Sequence, residues 1–98
     1  MSAFMIFHST VRDNDAFSYY SRSVPDTLAP FGGTLLAKGK MEQVFTGEHR
    51  HANVGIIRFP DLDKAHEWYA SEAYRALIPI RDAAAEMTVI SYQEPPVR

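Results

Sequence analysis

Hydrophobic positions alternate with period two near both ends of the chain and recur with a helical period between. AFMIFHSTV, Ala3 to Val11, is short and rich in β-branched and aromatic residues, and it reads as a strand. Phe4 and Ile6 point to one face while Met5 and Phe7 point to the other, so both faces are apolar and both need cover. RDNDAFSYYSR then opens a helix, with Asp13 or Asn14 available as N-cap. Phe17, Tyr20, Val24 and Leu28 continue its apolar stripe, and Pro25 predicts a kink or break near Val24.

FGGTLLAKG supplies a glycine turn and a second strand over residues 34–37, which EQVFTGE either extends or follows with a short strand. NVGIIRFP, residues 53–60, is the third clear strand, closed by Pro60. Asp61 caps the helix beginning LDKAHEWYA, and Ser71 caps another running from residue 72 to about residue 86. MTVISYQ, residues 87–93, is the last strand, and EPPVR is a tail.

The order is β-α-β-β-α-β with the second helical region split. That is the ferredoxin-like α+β pattern, an antiparallel sheet with helices on one face. The other face would lie bare in a single copy, yet the first strand is apolar on both sides. A second copy is the simplest cover, and two sheets packed face to face make a dimeric α+β barrel.

Composition narrows the picture. At 98 residues the chain is one domain, residues 1–98, with 46% hydrophobic and 22% charged residues, as in soluble globular proteins. A net charge of −2 lacks the basic surplus of a general nucleic-acid binder, so no nucleic-acid partner is expected. No cysteine is present, which removes disulfides, a thiol nucleophile and thiolate metal sites. The opening residues lack a basic n-region, and no apolar run approaches the roughly 20 residues that span a bilayer. A cytoplasmic protein without a membrane partner is the expectation.

FGGTLLAKG, followed by GEHRHANVGIIRFPDLDKAHEWYASEAYRALIPIRDAAAE, resembles the DUF1330 family of small bacterial proteins. The resemblance rests on Gly32 and Gly33 before strand two, Phe59 and Pro60 closing strand three, then Trp68, Tyr69, Ser71, Tyr74 and Arg81. It extends from about residue 3 to about residue 92. It implies a ferredoxin-like fold of the dimeric α+β barrel group and no assigned activity. Groups sharing that fold include cofactor-free monooxygenases, muconolactone isomerases and haem proteins similar to chlorite dismutase. Their chemistry would reach this chain through fold analogy alone.

Arg81 is the charge that breaks the pattern. At about 100° per residue, Tyr74, Leu77, Ile78, Arg81 and Ala85 share one stripe. A guanidinium there must snorkel out or find an anion. It either binds a carboxylate or enolate of a small ligand between helices and sheet, or pairs internally with Glu42, Glu48 or the neighbours of Asp82. Tyr74 on the same face would help hold an oxyanion, and its plainer role is packing. Ser71 is a cap first and a substrate contact second.

Trp68 and Tyr69 are adjacent, so only one lies at the centre of the buried face; both would line a cavity there. His8 shares a face with Phe4 and Ile6 and is the best candidate for a general base, against the commoner role of a satisfied core histidine. Arg58 alternates with Val54 and Ile56 on strand three, and it either closes a dimer contact or flanks the cleft. His49 and His51 in EHRH fall on one side of an extended segment, a weak metal pattern set against a solvated loop.

No phosphate-binding loop, GxSxG elbow or glycosidase-like carboxylate pair is present, so no cofactor and no resident metal are expected. Two functions remain: a cofactor-independent enzyme on a small anionic or carbonyl compound, or a non-catalytic binding or interaction module. In the first, His8, Tyr74 and Arg81 are catalytic, and Trp68, Tyr69, Ser71 and Arg58 contact the substrate.

Overall fold

A computed structural model describes residues 1–96, so Val97 and Arg98 of the expected tail lie outside the described residues. Strands β1 (Ala3–Val11), β2 (Thr34–Lys40), β3 (Asn53–Phe59) and β4 (Ala85–Gln93) form one sheet in the order β2-β3-β1-β4. Every pairing is antiparallel. Helices α1 (Asn14–Ser23), α2 (Pro25–Leu28), α3 (Leu62–Ala70), α4 (Glu72–Arg75) and α5 (Ile78–Ala84) fill the two crossovers. This is the β-α-β-β-α-β order that the periodicities predict.

The alternation along β1 divides the sheet as expected. Ala3, Met5, Phe7 and Ser9 are buried, while Phe4, Ile6, His8 and Thr10 on the opposite face are half-buried. The buried face packs with Ile57 and Phe59 of β3 against Tyr20, Leu28, Trp68, Tyr74 and Leu77. Trp68 is fully enclosed, with ring centroids of Tyr74, Phe59 and Phe7 at 4.2, 5.4 and 5.9 Å. Its indole N–H donates to Thr27 Oγ1 at 2.8 Å, which satisfies the one polar atom this burial removes from water. Tyr69 stays half-buried beside it, as adjacency requires.

The caps follow the sequence. Asp13 accepts from the Ala16 N–H at 3.1 Å and Asp61 from the Lys64 N–H at 2.8 Å. The first helix breaks at Val24, and Pro25 starts α2.

Three elements differ from expectation. The helix expected from residue 72 to about residue 86 is two short ones, α4 and α5, separated at Ala76 and Leu77. Pro79 has no N–H to give the Arg75 carbonyl, so one continuous helix cannot cross it. The last strand starts at Ala85 rather than residue 87, and β2 runs on to Lys40 with a register shift between Leu35 and Ala37. EQVFTGE forms no strand. Residues 41–52 make a loop whose ends meet at Met41 N–H to Ala52 C=O, 2.7 Å, with Gly47 at φ 84°.

The two glycines before β2 are needed for different reasons. Gly32 ends the helical turn in the left-handed region at φ 68°, and a Cβ there would lie 2.8 Å from Pro60 Cγ. At Gly33 a Cβ would sit 2.8 Å from Leu28 Cδ2 and 2.9 Å from Phe59 Cε1. Gly-Gly and Phe-Pro are therefore one packing unit, joining the end of the first crossover to the end of β3. Gly33→Ala is expected to lower stability by about 1–3 kcal/mol through overpacking. Urea unfolding measures this, and an unchanged midpoint would refute the close-contact explanation.

Candidate functional site

Between the helices and the sheet lies a mainly apolar, half-open cavity of about 140 Å³, with Ser9, Ser21, Lys38 and Asn53 as its polar lining. Phe7 and Ile57 from the sheet and Phe17, Tyr20, Val24 and Leu28 from α1, α2 and their junction form much of its wall. Gly55 on β3 contributes to the same lining, and a Cβ there would meet no heavy atom within 4 Å. The missing side chain leaves the space open.

A buried polar chain runs from this wall. Tyr20 and Tyr74 place their hydroxyl oxygens 2.7 Å apart. Arg81 Nη1 donates to the Tyr74 oxygen at 3.1 Å and to the Tyr69 oxygen at 2.9 Å, and its Nε donates to Asp82 Oδ1 at 3.1 Å. Burial works against the charge on Arg81, but the hydrogen bonds to Tyr69 and Tyr74 outweigh it and hold the guanidinium above its usual range. Burial likewise pushes both Tyr20 and Tyr74 up, for Tyr74 against the opposing pull of Arg81, so both remain phenols at neutral pH.

Of the expected residues, Tyr69, Tyr74 and Arg81 meet through these bonds. The internal partner of Arg81 is Asp82, 61% exposed, together with the two phenols. It is not Glu42 or Glu48; Glu42 lies in the exposed 41–52 loop, and Glu48 borders the groove that contains His8. Ser71 donates to the Trp68 carbonyl at 2.6 Å and accepts from the Tyr74 N–H at 3.3 Å, which makes it the hinge between α3 and α4. Trp68 packs against Tyr74 and orients it.

His8 and Arg58 are not brought to that cluster, because both project from the other face of the sheet. Arg58 lies opposite Phe4 in the register and donates to Ser2 Oγ at 2.9 Å, with Glu94 at 3.2 Å. His8 stacks edge-on against His49 at 4.9 Å, and its buried Nδ1 has no hydrogen-bond partner among the described residues. The 41–52 loop folds over this end of the sheet. His51 is buried between Thr10 Oγ1 at 2.9 Å and Thr88 Oγ1 at 3.2 Å, and Arg50 pairs with Glu86. Both nitrogens of His51 are thus engaged by threonines. Among the described residues, no group of three or more His, Asp or Glu is arranged to hold a metal ion.

Tyr20 is the residue the sequence reading left in the core. Its signal was a phenol inside an otherwise apolar stripe, since a buried tyrosine hydroxyl needs a partner. Gly55 was passed over because a strand glycine advertises either a close approach or an empty space, and the sequence does not separate them.

An antiparallel β2-β3-β1-β4 sheet with its helices on one face places the chain in the ferredoxin-like class. The sequence pattern described as "Domain of unknown function (DUF1330)" matches residues 2–94, and the chain belongs to that family. No curated protein matches it. Among solved structures it is similar to the protein of unknown function RPA0582 from Rhodopseudomonas palustris. The two are 18% identical with a TM-score of 0.80, over 98% of this chain and 84% of that one. SnoaB from Streptomyces nogalater, described as a cofactor-independent oxygenase, shares 11% identity with a TM-score of 0.70, over 98% and 95%. A dimeric ferredoxin-like protein of unknown function from Jannaschia sp. CCS1 shares 13% identity with a TM-score of 0.72, over 96% and 100%. At these identities the likeness establishes the fold. No helix among the described residues is long and apolar enough to cross a membrane.

His8 gives a pH signature. Burial first, then the neighbouring His49 and His51, lower it from the model-compound value of 6.5. Glu48, Arg50 and Glu86 are the other charged groups at this end of the sheet. The unfolded chain takes up the proton first, so the neutral His8 contributes stability above 6.5 that is lost as pH falls toward its folded value. Stability is expected to decline from about pH 7 to about pH 5, with a shallower decline in His8→Gln. Thermal melts across that range measure it, and identical slopes for the two proteins would refute it.

Proposed function

We propose that the protein is a cofactor-independent enzyme that binds a small, mainly apolar carbonyl or anionic compound between its sheet and its helices. The observation that carries this reading is the cavity wall at Tyr20, backed by Tyr74 and Arg81. A preorganised phenol polarised by a buried guanidinium is suited to an oxygen that gains negative charge during reaction. Arg81 and Tyr74 would act on the ligand through Tyr20, with Trp68 and Ser71 fixing Tyr74. The description of SnoaB as a cofactor-independent oxygenase on a similar fold supports the class by analogy.

His8 serves a different place in this reading, on the sheet face that a second copy covers. Phe4, Ile6, Ile56, Ile90 and Tyr92 make an apolar strip there, with the Phe4 and Tyr92 rings stacked at 5.4 Å. The Jannaschia protein described as dimeric supports a homodimer. Ile90 is 37% exposed, so Ile90→Arg is expected to yield a folded monomer where the parent sediments as a dimer. A parent that is monomeric at every concentration would overturn this assembly.

A non-catalytic ligand-binding module is the second reading. It is favoured by the Asp82 carboxylate beside Arg81, which already answers the charge. A thermal-shift panel of small ketones, aromatic acids and enolisable compounds tests for the site. Saturating ligand at 100 Kd adds about 2.7 kcal/mol, a shift of several degrees in a domain of this size. Gly55→Ile, filling the cavity from a position with room for a Cβ, is expected to fold and to abolish the shift. A shift unaffected by Gly55→Ile would place the ligand elsewhere. Turnover of a shifting compound, followed by NMR and lost in Arg81→Met, would decide for the enzyme; binding without turnover would decide for the module.

A further inference from the structure

The Tyr20–Tyr74–Arg81 chain contains one hydrogen more than it can use. Arg81 Nη1 donates to the Tyr74 oxygen, and the two phenol oxygens share a single hydrogen bond. Each phenol carries one O–H, and among the described residues neither oxygen has another hydrogen-bond partner. Whichever phenol donates to the other, one O–H is left without a protein acceptor.

Charge decides which one. The guanidinium beside Tyr74 repels the Tyr74 hydroxyl hydrogen and turns it toward Tyr20, so the bonds run from Arg81 to Tyr74 to Tyr20. The surplus hydrogen then belongs to Tyr20. Position agrees with polarity: Tyr74 is fully enclosed, whereas Tyr20 lines the cavity. A buried donor with no acceptor is costly, and the cavity is where an acceptor can be supplied. Burial keeps both phenols protonated, so the group offered is a donor rather than a phenolate base.

We propose that the Tyr20 hydroxyl is a ligand-facing donor of this cavity, and that it hydrogen-bonds the carbonyl oxygen of a one-ring compound. The inference rests on the cavity being a ligand site, and it names the donor that a carbonyl compound of the class proposed above would meet. The volume of about 140 Å³ accommodates one ring, since apolar cavities of about 150 Å³ accept benzene. The Tyr20 O–H gives a carbonyl oxygen a partner that a methylene cannot use, and Ser9, Ser21, Asn53 and Lys38 border the same cavity.

Acetophenone and ethylbenzene, which differ in carbonyl against methylene, are the probes. Their affinities for the parent, Tyr20→Phe and Gly55→Ile are measured by ligand-observed NMR. In Tyr20→Phe the ratio of acetophenone to ethylbenzene affinity is expected to fall roughly five- to tenfold, with ethylbenzene itself unchanged. Gly55→Ile is expected to exclude both. An unchanged ratio would overturn the role of Tyr20 while leaving the cavity reading intact. If neither compound binds the parent, the cavity reading falls and this one with it. The carbonyl stretch of bound acetophenone gives a second readout: a position below that in hexane that moves up in Tyr20→Phe supports the donor, and the hexane position in the parent refutes it.

Discussion

A guanidinium taken out of water must be met by partners that hold still, because an unpaired buried charge costs several kcal/mol. Much of the helical layer is arranged to meet this demand at Arg81. Tyr69 comes from the end of α3, Tyr74 from α4 and Asp82 from α5 itself, so three short helices converge on one charged group. Ser71 joins α3 to α4 by donating its hydroxyl to the Trp68 carbonyl of α3 while its Oγ accepts from the Tyr74 N–H and caps α4. Pro79 ends the run so that α5 starts afresh. The bent path carries Arg81 over Tyr74 while Trp68, beneath it, holds the phenol rings in place.

The fold was readable in the sequence because each element declares itself locally. Period-two alternation marked β1, β3 and β4, and the aspartate and serine caps marked where helices begin. Pro25 broke the first helix as expected, since its effect is confined to its own turn. Pro79 was underrated. The stripe of Tyr74, Leu77 and Arg81 survives the break, because two helical turns with an intervening 3₁₀-like turn still return these residues to one side. Periodicity alone therefore cannot distinguish one helix from two. The 41–52 loop was unreadable for another reason: its conformation is set by His51 wedged between two threonines of distant strands, a tertiary contact with no local signature.

The site was half legible. An arginine at the centre of an apolar stripe is a strong signal, and the tyrosine two turns before it supplied a partner. His8 was grouped with these residues, and the sheet holds it on the opposite face. Its strand parity with Phe4 and Ile6 already placed it opposite Met5 and Phe7, and only the latter pair faces the helices. A strand passes information about faces but not about which face the helices choose. That choice is made by the bulk of the core, here the enclosure of Met5 and Phe7 against Trp68, Tyr74 and their neighbours.

The glycines carry the same lesson in sharper form. Gly33 and Gly55 each lack a side chain, for opposite reasons. At Gly33 Leu28 and Phe59 press against the backbone, so any Cβ collides. At Gly55 nothing approaches, and the absent side chain is the cavity itself. Packing interiors are dense, and an empty position on a sheet is unstable unless something maintains it. The first crossover borders that space: Leu28 and Phe59 close against Gly33, and Leu28, Tyr20 and Gly55 line the same cavity. The crowded glycine fixes the helices, and the open one receives the space they leave.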